Sequence, residues 1–278
     1  MVQKIGPGEK NTRLGILLRK ILFSLNYAGI SDFQKKNNLN VDGIFNLVEY
    51  QLLQKQLLEP QELDFQGEYI SVPRNKDQIV INQVDCHTSP KQVFDIWDKN
   101  KFKSPPSIII DRNGGFFRGY DESFWAHTVT SGRSEDLWRS QCSIHVSLCN
   151  WGVVQQRIDS KYYTKVDEFG KNGPGKTIQS SDVCYLEEGY KGYFKFQEYT
   201  DIQIKKLESW ILMMSLRFDI ELLYRSDRIW AYTEDVFRGI PGIYSNNSFD
   251  EFSEGEIGLY PSTKLIKMLE GLKKYETE

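Results

Sequence analysis

The chain has 278 residues, a formal net charge of −3, and 40% hydrophobic, 26% charged and 13% aromatic residues. This composition is typical of a globular protein with a substantial core, and the length suits two domains of ordinary size better than one large one. The formal net charge gives no electrostatic reason to invoke nucleic acid or an anionic membrane, whose binders normally show a basic face, so we expect neither as a partner.

The N-terminal stretch interleaves its apolar residues with Arg13, Arg19 and Lys20. A secretory signal has an uninterrupted apolar core instead. No apolar run approaches the roughly 20 residues that a membrane-spanning helix needs. The sequence therefore predicts cytoplasmic synthesis without a signal peptide, with export only inside a particle or after cell lysis.

The four cysteines, Cys86, Cys142, Cys149 and Cys184, show no CxxC spacing. We expect them to be reduced packing residues. A disulfide between Cys184 and either Cys142 or Cys149 is the alternative.

Apolar residues at helical spacing predict a compact helical unit over residues 13 to about 58. In LGILLRKILFSL, Ile16, Leu17 and Ile21 lie near one face. The next helix opens at SDFQKKNNL, where Ser31 or Asp32 suits the N-cap position, and NLVEYQLLQKQL predicts a further helix after a turn.

From Gln78 onward, strand-like runs alternate with helices. The strands are QIVINQV, SIIIDRNGGFFRGY and SIHVSLCNWG, and the helices are PKQVFDIWDKN, TDIQIKKLESWILMMSLRFDI and PSTKLIKMLEGLKKY. This alternation predicts an α/β (α+β) fold with one mixed β-sheet flanked by helices, and an insertion over one sheet edge at residues 153–192. We divide the chain into a helical domain (1–60), a linker (61–77) and a larger domain (78–278).

The segment FQKKNNLNVDGIF resembles the three-helix peptidoglycan-binding domains, whose pattern is FQ, a short spacer and GLxxDGxxG. Asn46 stands in place of the last glycine, and the matching residues are Phe33, Gln34, Leu39, Asp42 and Gly43. A helical interaction module with a chance FQ and DG is the alternative.

Residues 78 to 272 resemble the zinc-dependent N-acetylmuramoyl-L-alanine amidases related to peptidoglycan recognition proteins. QIVINQV is similar to the family strand QIVIHHT, and SIIIDRNGGFFRGYDESFWAHT to HFIIDRDGTIYQLFDxxxWAxH. SIHVSLCNWG is similar to SIGIELVNWG. The C-terminal stretch GIPGIYSNNSFDEFSEGEIGLYPSTKLIKML resembles GxPGIYTHNSYRxDKxDVYPxPxLIxML.

The resemblance implies a zinc held by two histidines and one acidic or cysteine ligand, with an open position for water. These three ligand positions fall on Asn82, Asn246 and Gly258. The family's catalytic glutamate falls on Ser147, and the position before FIID falls on Ser107. We therefore expect no metal and no catalytic residue at these degenerate positions.

The histidines of the chain are His87, His127 and His145. His127 and Trp125 match the WAxH region that edges the family's cleft, and His145 takes a glycine position, so these three residues are candidate cleft residues. A relocated metal site is the alternative. His145 and Cys149 are too distant for it, since four residues along a strand span roughly 13 Å.

The resulting hypothesis is a catalytically inactive amidase-like protein, with no cofactor, that recognises peptidoglycan or its fragments. It includes a structural role beside other subunits of a phage tail or a contractile injection system baseplate. The first alternative is an active amidase or endolysin with a remodelled zinc site. The second is a cytoplasmic interaction protein that no longer binds peptidoglycan.

Overall fold

The computed structural model describes residues 4–6, 12–65, 67–84, 89–100, 104–156, 159–164, 177–249 and 258–276. Its helices are α1 Arg13–Ser24, α2 Ile30–Lys36, α3 Leu47–Leu58, α4 Pro90–Lys99, α5 Asp136–Cys142, α6 Asp201–Phe218, α7 Ser226–Ile229, α8 Thr263–Gly271 and α9 Lys273–Glu276. Its strands are β1 Gln61–Glu62, β2 Gln78–Val84, β3 Ile108–Ile110, β4 Phe116–Arg118, β5 Ser143–Cys149, β6 Val154–Gln156, β7 Tyr162–Thr164, β8 Thr177–Ile178, β9 Val183–Tyr190, β10 Tyr193–Gln197 and β11 Gly242–Ser245.

A six-stranded mixed sheet in the order β1-β4-β3-β5-β2-β11 forms the centre of the fold. Strands β3, β5, β2 and β11 run parallel, and β4 pairs antiparallel with β3. The predicted mixed sheet flanked by helices is confirmed. Two small antiparallel sheets, β6-β7-β8 and β9-β10, lie in the segment after β5.

The segment SIIIDRNGGFFRGY is a hairpin of β3 and β4, whereas the sequence predicted one strand. Asp111 causes the turn, because its carboxylate accepts hydrogen bonds from the backbone N–H groups of Asn113 and Gly115 at 2.9 and 2.7 Å. Gly114 completes the turn with a φ of +80°, a conformation that favours glycine. Apolar residues on both sides of this turn made the pattern look continuous.

One face of the sheet is mostly apolar and packs on α6. It presents isoleucine, valine and leucine side chains from β2, β3 and β5, and these join α6 residues such as Leu207, Trp210 and Ile211 in the main hydrophobic cluster. Gln203 of α6 fixes the helix by donating to the carbonyl oxygens of Ile110 and Cys149, at 3.0 Å each. Buried polar side chains of β2 and β5, such as Asn82 and His145, lie on the opposite face.

The helical unit α1–α3 shares this core with the sheet. Helices α1 and α3 contact α6, and Tyr50 of α3 donates its hydroxyl to the carbonyl oxygen of Met213. In the opposite direction, the amine of Lys206 on α6 donates to the carbonyl oxygen of Leu57 on α3. The boundary at residue 60 stays a prediction, since one hydrophobic cluster contains side chains from both sides of it.

The thiols differ from expectation at one position. Cys142 and Cys184 are free, which excludes the alternative pairing with Cys184. Cys149 is disulfide-bonded, so the expectation of a reduced thiol is wrong there. The absence of CxxC spacing did not exclude this bond, because cysteines distant in sequence can also pair. The remaining cysteine, Cys86, lies outside the described residues.

In the described part of the chain, no helix has the length and apolar character that crossing a membrane requires.

Arg13 joins the helical unit to the C-terminal helices. Its guanidinium donates to both carboxylate oxygens of Glu276 at 2.7 Å and to Asp219 at 2.8 Å. It also donates to the Ser215 hydroxyl at 2.8 Å and to the carbonyl oxygen of Ile220. One side chain thus connects α1, the end of α6 and α9.

We expect Arg13→Met to lower the free energy of unfolding by about 1 to 3 kcal/mol, since it leaves Glu276 and Asp219 without their cation. Arg19→Met is the matched control, because Arg19 is on the same helix and exposed. Urea unfolding followed by circular dichroism measures both. Equal midpoints for the two variants would contradict this role of Arg13.

Candidate functional site

The face opposite α6 carries a strip of buried polar residues between two apolar clusters. One cluster contains Ile109 and Phe94, and the other contains Val80 and Phe237. Side chains alternate along a strand, so Asn82 on β2 and both His145 and Ser147 on β5 point to this face. Asn82 and Ser147 are ladder partners. The polar strip therefore lies at the middle of the sheet, where the sequence placed its candidate residues.

Asn82 and His145 are in direct contact within this strip. The Nδ2 atom of Asn82 lies 3.4 Å from Nδ1 of His145. The amide nitrogen only donates, so Nδ1 is the acceptor and the ring proton is on Nε2. Among the described residues, neither Nε2 of His145 nor Oδ1 of Asn82 has a hydrogen-bond partner, although both are buried. The pair thus has one spare donor and one spare acceptor.

His145 is neutral at physiological pH. Its side chain is 4% exposed, and burial lowers its pKa to about 3, with a smaller contribution from the positive charge of Lys76. Burial also lowers the pKa of Lys76, to about 7. The Lys76 amine donates to the carbonyl oxygens of Phe124, Gln141 and Ser143 at 2.7 to 3.2 Å. The imidazole is therefore a poor base for deprotonating a water molecule, because its pKa is low and its Nδ1 atom already accepts the Asn82 amide.

The two candidate serines flank this pair. Ser107 precedes β3 and donates its hydroxyl to the backbone carbonyl of His145 at 3.0 Å. Ser147 is buried between its ladder partners Asn82 and Ile109. A serine hydroxyl needs an activating base to react. His145, which shares the face, already accepts the Asn82 amide on Nδ1.

Trp125 and His127 occupy different environments. Trp125 is 7% exposed, and its indole Nε1 lacks a hydrogen-bond partner among the described residues. His127 is exposed, with its ring edge-on to Trp125 at 5.3 Å. A recess of about 10 Å³ is lined by Trp125, His145 and Ser107. That volume accommodates about one water molecule, so the recess is closed to a sugar or a peptide.

Asn246 and Gly258 lie near the end of β11. Asn246 begins a 3-10 turn that contacts β2, and its side chain is exposed. The adjacent Asn247 is buried; it donates to the carbonyl oxygen of Leu259 at 2.8 Å and accepts from Lys191 at 3.1 Å. A Cβ atom added at Gly258 would lie 2.7 Å from the Oδ1 atom of Asn247. Asn247 thus fills the space beside Gly258.

The donor set does not fit a zinc ion. Asn82 and Asn246 offer neutral amides, Gly258 offers no side chain, and zinc prefers imidazole, thiolate and carboxylate. Over the described ranges, no group of three or more histidine, cysteine, aspartate or glutamate side chains is placed to hold a metal. His87, the remaining histidine, lies outside the described residues. The side chains at the three ligand positions that the sequence resemblance predicts are therefore unsuited to binding zinc.

Sequence reasoning missed two residues of this region. Lys76 was assigned to a charged linker, although it is buried against three carbonyl groups. Asn247 was not singled out, because the two neighbouring asparagines in SNNS differ only in which one turns inward. A buried side chain after the end of a strand leaves no signal in the spacing.

No protein-family model and no curated protein matches the sequence. Among solved structures, the chain is similar to the N-acetylmuramoyl-L-alanine amidase LysC from Clostridium intestinale URNW, with 10% identity and a TM-score of 0.41 over 77% of this chain and 97% of that one. It is also similar to the endolysin N-acetylmuramoyl-L-alanine amidase LysCS from the same organism, with 9% identity and a TM-score of 0.40 over 77% and 95% of the two chains.

We expect acid to destabilise the protein partly through His145. Because the folded pKa of about 3 lies below that of the unfolded chain, the unfolded state binds more protons between these values. This contribution to stability is fully present above the unfolded pKa and is lost as pH falls toward 3. Its slope is at most about 1.4 kcal/mol per pH unit.

Urea unfolding at several pH values between 4 and 7 measures this slope. His145→Gln should be less pH-sensitive than the natural chain. His127→Gln, at the exposed histidine, should keep the natural slope. Parallel curves for the natural chain and His145→Gln would show that the buried imidazole does not titrate in this way.

Proposed function

We propose that this protein recognises peptidoglycan, or fragments of it, without hydrolysing it. The observation that carries the proposal is the buried Asn82–His145 pair at the centre of the polar strip. The sequence resemblance places a metal ligand and a glycine at these two positions. A neutral amide and a neutral imidazole in mutual contact occupy them in this chain, which argues against metal-assisted hydrolysis.

Chemistry at the other positions supports the same conclusion. Amide hydrolysis of this kind needs an activated water and a group to transfer its proton. Ser147 stands at the position of the family's catalytic glutamate, and Gly258 at that of the acidic ligand. Asn247 packs beside Gly258, so an acidic side chain there would require Asn247 to move. A carboxylate cannot be restored at Gly258 without local rearrangement.

The helical unit supplies the second part of the proposal. Its sequence resembles peptidoglycan-binding domains, and it exposes the apolar side chains Val41, Leu47 and Val48 to solvent. Exposed apolar residues that lie close in sequence are suited to contact with a ligand. We assign wall recognition to this surface.

The proposal includes a role as a structural part of a cell-envelope-penetrating particle, such as a phage tail or an injection baseplate. The combination of a wall-binding-like helical unit with degenerate amidase-like positions supports it. A particle component that contacts the wall benefits from affinity without turnover. The alternative, an active amidase with a relocated zinc site, would require ligands beyond the described residues.

Incubation of the full chain with purified sacculi tests the proposal. We expect the protein to sediment with the sacculi and to release no stem peptide above the buffer level, because the site has no ligand set for zinc and no base. Addition of a chelator should change neither result. Near-stoichiometric zinc in the purified protein, together with release that the chelator abolishes, would instead favour the active amidase.

The role of the helical unit is testable by point variants. Deletion of residues 1–60 would uncover the core surface of α6 and is therefore a poor test. We expect the double variant Leu47→Asp, Val48→Asp to sediment less with sacculi, since both side chains are exposed and can be replaced without loss of core packing. Phe23→Asp, at a similarly exposed position on α1, is the matched control. If the double variant sediments as much as Phe23→Asp does, the assignment is contradicted.

A further inference from the structure

The outer face of the β9–β10 hairpin carries two large aromatic rings that are about half exposed. Tyr185 is 60% exposed and Phe194 is 48% exposed. Their ring centroids are 6.3 Å apart and their planes differ by 22°, so the two rings stack nearly parallel to each other. We call Tyr185 and Phe194 the aromatic ledge. It lies on a different sheet from the polar strip.

The hairpin is built so that these rings face outward. Cys184 and Phe196 are ladder partners and are buried, which turns the inner face of the hairpin to the core. The pairing register shifts between Tyr193 and Lys195, so Phe194 lies at an irregularity. Gly189 has a φ of +69°, and a Cβ atom there would meet the Phe194 ring at 3.0 Å. The backbone at Gly189 thus leaves room for the Phe194 ring.

Polar groups lie directly beside the ledge. Lys195 is the ladder partner of Tyr185, and its amine donates to Oε1 of Gln156 at 2.7 Å. The same amine lies 5.3 Å from the centroid of the Tyr162 ring. Glu187 lies two residues after Tyr185 on the same strand and is exposed. The next residue, Glu188, is also exposed. The surface therefore combines flat apolar rings with hydrogen-bonding groups of both charge signs.

The size and chemistry of the ledge restrict its ligand. A stable protein partner needs roughly 800 Å² on each side, far more than two rings provide. The mixed charges beside the rings favour a neutral ligand over a strongly acidic or basic one. A pyranose ring has an apolar C–H face and a rim of hydroxyl groups. The face matches the rings, and the rim matches Lys195, Gln156 and Glu187.

We propose that the aromatic ledge binds the sugar rings of a β-1,4-linked N-acetylhexosamine strand. The C–H face of a sugar packs on Tyr185 and Phe194, while its hydroxyl or acetamido groups meet the polar groups beside them. This inference deepens the proposed function and rests on it, since it assigns recognition of the glycan, rather than of the stem peptide, to a surface outside the polar strip.

Two binding measurements on the full chain test the inference. The first is calorimetric titration with a tetramer of β-1,4-linked N-acetylglucosamine, and the second is sedimentation with sacculi. We expect Tyr185→Ala and Phe194→Ala each to weaken tetramer binding about fivefold to tenfold, since an aromatic stacking contact contributes on the order of that factor. Tyr185→Phe keeps the ring and should bind nearly as the natural chain does.

Phe23→Ala is the matched control, because it removes a similarly exposed ring from α1. Circular dichroism spectra establish that each variant is folded. Tyr185→Leu, which keeps an apolar side chain but removes the ring, replaces Tyr185→Ala if the alanine variant does not fold. Loss of binding in both ledge variants, with the control unchanged, supports the inference.

The outcomes separate the inference from the proposed function. If the natural chain sediments with sacculi and the ledge variants do so equally, with no effect on the tetramer, the ledge is not the glycan site and the proposed function stands. If the natural chain binds the tetramer through the ledge but does not sediment with sacculi, the wall assignment fails and the ledge stands. If it binds neither, both are overturned, and a protein partner of the ledge becomes the next subject for test.

Discussion

The buried carboxylate of Glu122 is the interaction on which the arrangement of the fold depends. Its side chain has no exposed surface and is held by Arg118 at 3.1 Å, Arg217 at 3.0 Å and the indole N–H of Trp210 at 3.4 Å. A buried charge of this kind is tolerated only when its partners are in place. Arg118 belongs to β4, whereas Arg217 and Trp210 belong to α6. The carboxylate thus fixes β4 to the helix on which the helical unit packs.

The packing of α6 determines where polar chemistry can lie. One sheet face is filled mainly by apolar side chains against α6, and the buried polar residues Asn82, His145 and Ser147 lie on the opposite face, between two smaller apolar clusters. A buried polar group is tolerated there when it is neutral and partly satisfied, whereas an unpaired charge would be far more costly. Asn82 and His145 meet this condition together. Neither side chain of this pair carries a negative charge that a metal would have to neutralise.

Much of the fold was predictable from the sequence, and less of the site. The apolar runs of β2 and β5 and the periodicity of α6 predict those elements, because each is long and its pattern regular. The β3–β4 hairpin was predicted as one strand, since its turn depends on the Asp111 carboxylate rather than on a break in the pattern. The contact of Asn82 with His145 requires the register of two strands, which only pairing in the folded chain determines. Exposure of Tyr185 and Phe194 likewise depends on which hairpin face the core covers.

A protein that binds a polymer without cutting it has to gain affinity from contact alone. Each of the proposed surfaces is small: a few apolar side chains on the helical unit and two rings on the hairpin. A second contact with the same glycan becomes intramolecular once the first has formed, so its effective concentration is high and weak sites combine into useful retention. The gain is largest when the separation of the sites matches that of the groups they bind. The core that α6 shares with the helical unit and the sheet, together with the Arg13 and Glu122 ion pairs, limits how far the helical unit can move relative to the sheet.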